Sequence, residues 1–207
     1  RTNNMANRNA AGFGMIPSMR VGNTPSIQGQ SKYEIAAGYA TAMYQGDPVR
    51  INVSATVGGY VVSAIAGTAM VGVLNGVFYT APTTLKPTFQ NFYTQVTPGN
   101  TETITAFVND DPFQEYLMAT NATLGTTVAL RQSKVGLTYA TSASSTAGSG
   151  ASSISLDIAS AATTAKQLRL VRVAEDPENQ DETVAFCSVI VKVNLSQYVV
   201  GSLATGI

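Results

Sequence analysis

From Tyr33 onward the chain sets short runs of Val, Ile, Tyr, Phe and Thr between Gly, Pro and Asn, the texture of strands separated by turns. Residues 33–37, 48–53, 60–66, 70–74, 77–80, 103–109 and 114–119 are the predicted strands of the first part of the chain. Two turn signals join them. Gly58-Gly59 separates two strand-like runs at hairpin distance, and Asn75-Gly76 offers the positive φ of a type I′ turn, which predicts a hairpin between 70–74 and 77–80. Turns this tight imply antiparallel pairing, because parallel neighbours need crossovers of roughly a dozen residues or more. Further on, residues 154–158 and 168–173 alternate apolar with polar positions, and 184–195 reads as a longer strand. In that strand Cys187, Val189, Val191, Val193 and Leu195 share the parity expected to be buried, so Cys187 reads as a small core residue. A weak 3.6-residue stripe in 160–170 is the best helical signal, so helix should be scarce. The predicted fold is all-β, a mainly antiparallel barrel or sandwich of roughly eight to twelve short strands with an extended N-terminal arm.

Three stretches fall outside this pattern. Residues 6–31, rich in Asn, Gly, Ser and Pro, show neither period and read as the arm, which gives a division into an arm at 1–31 and a β domain at 32–207, with a sub-boundary near 120–153. Residues 140–153 contain only Ala, Ser, Thr and Gly and cannot build a core, which predicts a flexible surface loop. Residues 60–79 lie in an uncharged stretch about long enough to span a bilayer as a helix. Ser63, Thr68 and Asn75 interrupt it, no basic cluster flanks it, and its β-branched and aromatic content favours strands, so no membrane association is expected.

Composition narrows the chemistry. Lys plus Arg and Asp plus Glu each number 12, and only 12% of the 207 residues are charged, so no basic excess points to nucleic acid. The absence of His and the single Cys remove imidazole bases, Cys/His zinc sites and any disulfide within one chain. Carboxylates gather at Asp110, Asp111 and Glu115, and again at Glu175, Asp176, Glu178, Asp181 and Glu182. The second group is the better calcium candidate, yet it lacks EF-hand spacing and reads more simply as a solvated turn, so no metal or cofactor is expected. Ser31-Lys32 and Ser133-Lys134 place adjacent side chains on opposite faces of a strand, which does not suit a Ser-Lys dyad. Gly12-Phe13-Gly14 fits neither a dinucleotide fingerprint nor a P-loop. A catalytic role is not expected.

Several ordered stretches carry a resemblance. They are residues 5–17 (Met5-Ala6-Asn7-Arg8-Asn9 through Pro17), residues 33–42 running into Gly46-Asp47-Pro48-Val49, Val71-Gly72-Val73 with Gly76-Val77-Phe78-Tyr79-Thr80, and Lys86-Pro87-Thr88-Phe89. Val108-Asn109-Asp110-Asp111-Pro112, Leu168-Arg169-Leu170-Val171, Glu175-Asp176-Pro177-Glu178-Asn179 and Val191-Lys192-Val193-Asn194 with Gln197-Tyr198 complete the set. In these the chain resembles a family of virion structural proteins of tailed bacteriophages, of capsid decoration or cement type. Ser196 stands where that family has His, and Leu85-Lys86-Pro87 where it has a Gly-Lys-Pro turn. The resemblance implies a non-enzymatic protein on the virion surface whose partners are the major capsid protein and further copies of itself, with a trimer or local symmetry axis expected. The capsid-facing element it implies is the arm, with Phe13, Met15, Ile16 and Met19 as apolar anchors and Arg8 and Arg20 as charge contacts. The second reading is a surface binding module, a head-fibre base or a host-glycan adhesin.

Overall fold

A computed structural model describes residues 10–21, 24–25, 29–54, 58–64, 67–99, 103–142, 150–175 and 183–199. The strands are β1 (Ile16–Arg20), β2 (Thr24–Pro25), β3 (Ser31–Ile35), β4 (Met43–Tyr44), β5 (Pro48–Ile51), β6 (Val61–Ser63), β7 (Gly72–Thr80) and β8 (Pro87–Gln90). They continue with β9 (Phe92–Tyr93), β10 (Ile104–Asn109), β11 (Gln114–Ala119), β12 (Thr138–Tyr139), β13 (Leu168–Val173) and β14 (Ser188–Val193). Helix is confined, among the described residues, to α1 (Val128–Gln132) and a 3-10 turn at Ile158–Ser160. The predicted all-β, antiparallel class is what is found. One sheet runs β3-β10-β7-β5-β6 with β8 on β7, a second runs β12-β13-β14-β11-β1-β2, and β4 pairs β9.

The first sheet wraps its own core of Ile35, Val49, Val61, Leu74, Val77, Ile104, Ala106 and Val108, with Met43 and Tyr93 of the β4-β9 pair packed against them. It curls until β3 and β6 approach, and the Ser63 N–H donates to the Tyr39 hydroxyl (3.2 Å), but among the described residues no ladder joins the two edges. The barrel alternative is therefore not realised; the sheets stay open and pack as a sandwich. The second core lies between the sheets, with Tyr116, Met118, Leu168, Leu170, Val189 and Val191 from the second meeting Met70 and Val73 from the first. Cys187 is fully buried there, on the predicted parity with Val189 and Val191. β14 sits between β13 and β11, and Ser188 and Ile190 on its other face are buried too.

Residues 70–80 do not form the predicted hairpin. Leu74, Val77 and Tyr79 all belong to the first core, although an unbroken period of two would put Leu74 on the opposite face from the other two. The chain resolves this with a β-bulge. Phe107 pairs with Gly76 and Val108 with Leu74, so Asn75 is the extra residue that resets the parity inside one continuous strand. Gly76 takes no positive φ; it is required because a Cβ there would lie 2.7 Å from the Phe89 ring and 2.9 Å from the Gln90 carbonyl oxygen. Gly58-Gly59 does lie in the β5-β6 hairpin, but at the return end of a longer loop, where Gly59 (φ +89°) donates its N–H to the Asn52 carbonyl. Of the membrane-length stretch 60–79, the described residues include β6 and most of β7, and no helix among the described residues is long and apolar enough to cross a membrane.

The other departures have local causes. Residues 154–158 are largely buried, yet they form no named strand: Leu156 makes isolated bridges to Thr120 on one side and Thr141 on the other, just past the ends of β11 and β12. The weak helical stripe at 160–170 yields only the end of the 3-10 turn before β13 begins. Phe186 adopts φ +62°, which interrupts the run from residue 184 and delays β14 to Ser188. Of the small-residue stretch, 140–142 and 150–153 are built into the body. Thr141 and Ser152 are buried, Gly150 accepts from the Gln45 N–H, and a Cβ on Gly150 would lie 2.7 Å from Asn91 Oδ1. Small side chains are needed there for close approach, and residues 143–149 lie outside the described residues.

The N-terminal segment is likewise part of the sandwich over the residues described. The Gly14 N–H donates to the Ile154 carbonyl and the Met15 N–H to the Gly46 carbonyl, both at 2.9 Å, before β1 pairs with β11. A Cβ on Gly12 would stand 2.2 Å from the Ser153 carbonyl oxygen, so only glycine lets the two backbones meet. Gly12→Ala should lower unfolding free energy by about 1–3 kcal/mol, the usual cost of forcing extra volume into a packed site, read from urea unfolding curves.

Three tyrosines, two of them fully buried and one half-buried, should lower stability at alkaline pH. Burial raises the Tyr116 pKa, with the nearby Asp111 and Asp110 charges adding to it; burial and hydrogen bonds to Asp110 and Tyr198 raise Tyr33; burial pushes Tyr139 up to about 12. Each folded value exceeds the unfolded value near 10, so their stabilisation is complete below about pH 10 and fades as pH rises through the folded values. Thermal unfolding should hold steady from neutral pH to about pH 10 and then fall. Absorbance at 295 nm should show these three rings ionising only as the chain unfolds.

Candidate docking surface

β1 is positioned by what lies beneath it. Met15 is buried in the core between the sheets, and Pro17 stands opposite the fully buried Tyr116, which fixes the strand on β11. A bulge between Pro17 and Arg20 gives β1 one residue more than its partner, and Ile16 and Met19 are both left exposed, at 47% and 43%. Val21 (45%) follows, tied by its N–H to the Phe113 carbonyl at 3.0 Å, and Phe113 (57%) is the most exposed of the group. Ile16, Met19, Val21 and Phe113 thus form an apolar strip along β1 and the β10-β11 turn.

The strip is braced by charge. Arg20 Nε lies 2.8 Å from Asp111 Oδ2, and the other Asp111 oxygen accepts from the Phe113 N–H at 2.9 Å, so one carboxylate holds both the strand and the turn. Asp110 accepts from the Tyr33 hydroxyl (2.6 Å), which in turn accepts from the Tyr198 hydroxyl (2.5 Å). The third carboxylate of the group, Glu115, is buried on the second sheet against Arg172 (2.9 Å). All three are engaged in holding the fold. Of the second acidic group only Glu175 is described, and it is exposed. Among the described residues no cluster of three His, Cys, Asp or Glu side chains could hold a metal. Ser133 donates to the Leu130 carbonyl at the end of α1, and Lys134 donates to the Thr123 carbonyl ahead of that helix.

Beside the strip a cleft of about 340 Å³ opens between β1 and the bulge of β7. Phe13, Ile16, Gln30, Gln45, Asn75 and Asn109 line it with other uncharged residues. The Gln45 side-chain amide donates to Asn75 Oδ1 (2.8 Å), and Asn109 is held by Tyr116 and the Gly29 carbonyl.

Of the residues expected to face a partner, Ile16 and Met19 are surface groups, Phe13 is half-buried at the cleft, and Arg20 is committed to Asp111. Met15 is a core residue and is removed from the contact set; Arg8 lies outside the described residues. Phe113 was not foreseen. A phenylalanine directly after Asp-Asp-Pro, where the turn itself demands only polar residues, was the available signal. No family model, curated protein or solved structure matches the chain.

The two ion pairs should behave differently on truncation. Arg172→Ala leaves the buried Glu115 without its partner and should cost about 2 kcal/mol, whereas Arg20→Ala leaves the half-buried Asp111 with access to water and should cost less, about 1 kcal/mol, both measured by urea unfolding.

Proposed function

We propose that this chain is a capsid decoration, or cement, protein: it binds the major capsid protein across subunit joints on the outside of a tailed-phage head and strengthens the shell by binding energy alone, with no substrate turned over. The observation that carries this reading is the apolar strip Ile16, Met19, Val21 and Phe113, held on a β-paired strand instead of a loose tail. A surface fixed before binding gives up little conformational freedom on docking, so a modest contact can hold. The resemblance to virion structural proteins and the low charge agree with this role. Other copies of the chain are the second partner, and the virion surface is the location.

A surface binding module remains the second reading, favoured by the uncharged cleft. Its carboxamides donate and accept hydrogen bonds as sugar hydroxyls do, and Phe13 offers a ring against which a neutral saccharide can stack.

The experiment adds purified protein to particles of the source virus that lack it and heats them. The cement role predicts a higher rupture temperature, and predicts that Ile16→Asp with Met19→Asp, in a chain that still melts cooperatively, binds shells at least about 100-fold more weakly. Unchanged rupture with altered host attachment would replace the cement reading by the second one. Full binding by the double variant would remove the strip from the account.

A further inference from the structure

The outer face of the first sheet carries a second set of exposed apolar side chains, away from β1. Phe78 is 41% exposed and Phe89 60%, and the Phe89 and Phe107 rings meet with centroids 5.9 Å apart at 50°. The registers place these groups in two rows across the sheet. One row runs Glu34, Thr105, Phe78, Phe89 across β3, β10, β7 and β8; the next runs Lys32, Phe107, Gly76 across β3, β10 and β7. Gly76 has no side chain, and the Phe89 ring lies over it. Lys32 and Glu34 are both exposed, and neither has an ion-pair partner among the described residues.

We propose that a second copy of this chain docks face to face on this aromatic surface, about a two-fold axis lying in the interface, perpendicular to the strands and passing over the Tyr33–Ala106 pair. That rotation exchanges the two rows. Lys32 then stands over Glu34 of the second copy, Glu34 over its Lys32, Phe107 over its Thr105, and Phe78 over its Gly76. Two opposite charges two residues apart on one face of an edge strand complement themselves under this operation, as an isologous interface requires. The phenylalanines supply the apolar area between them. Three partly exposed rings make a small contact, so dimerisation is expected in the micromolar range. This proposal stands apart from the capsid reading, which uses the strip on β1.

Charge reversal tests it without relying on loss of function alone. Sedimentation velocity of the full chain from about 1 µM to about 1 mM should show a concentration-dependent dimer. Lys32→Glu places Glu over Glu in both pairs and should weaken the dimer at least about 10-fold; Glu34→Lys should do the same with lysines. An equimolar mixture of these two variants restores both opposite-charge pairs and should dimerise again, near the wild-type strength. Phe89→Asp should also give monomer, while Val128→Asp on the exposed face of α1 should not. A wild-type chain that stays monomeric to about 1 mM, or a variant mixture that associates no better than each variant alone, overturns the proposal.

Discussion

Two backbone segments far apart in sequence approach so closely at Gly12 and Gly14 that no side chain fits between them and Ser152, Ser153 and Ile154. Much of the architecture follows from that contact. It seats Met15 in the core between the sheets and delivers β1 to β11 in register, and it fastens the chain after residue 150 against the other half of the molecule. The exposed strip on β1 is therefore the outer side of a segment whose inner side is core.

The two sheets are bound together at several further points. β10 belongs to the first and β11 to the second, and the short turn between them is closed by Asp111. The segment after β14 returns to the first sheet: Met70 donates to the Leu195 carbonyl, and the Gln197 side chain both accepts from the Ile51 N–H (2.7 Å) and donates to the Ile51 carbonyl (3.0 Å). One amide side chain thus does for the end of β5 what another strand would do. Tyr198 closes the same region by reaching Tyr33 and, through it, Asp110. Non-local links of this kind make the sandwich a cooperative unit and not two independent sheets.

The class of fold was legible in the sequence because β propensity and turn chemistry are local. The runs at 104–109, 114–119 and 168–173 become strands with little change, and Cys187, Val189, Val191 and Val193 are buried as expected, although Ser188 and Ile190 of the other parity are buried as well and Leu195 is only half-buried. What was not legible depended on partners. Asn75-Gly76 has the composition of a turn, and only the pairing with Val108 and Phe107 makes it a bulge. The segment from Gly12 to Arg20 has no period because its constraints come from residues near 46, 116 and 153, so local reading gave an arm. The same blindness put Met15 with the surface anchors. Ile16 and Met19 stood out in the sequence as large apolar residues, and the structure shows both exposed, whereas Phe113 was hidden by the polar turn that carries it.

In the proposed adhesive role, precise shape counts for more than reactive groups. A docking strip built before binding requires the free chain already to hold β1 in place. Amide hydrogen exchange of the isolated protein at Gly14, Met15 and Val21 tests this most directly. Those three N–H groups, bonded to Ile154, Gly46 and Phe113, should exchange only on global unfolding, as slowly as the amides of β10 and β14. Exchange at the rate of an unprotected peptide would show the segment to be a loose tail in the free protein, and the pre-built docking strip would not exist.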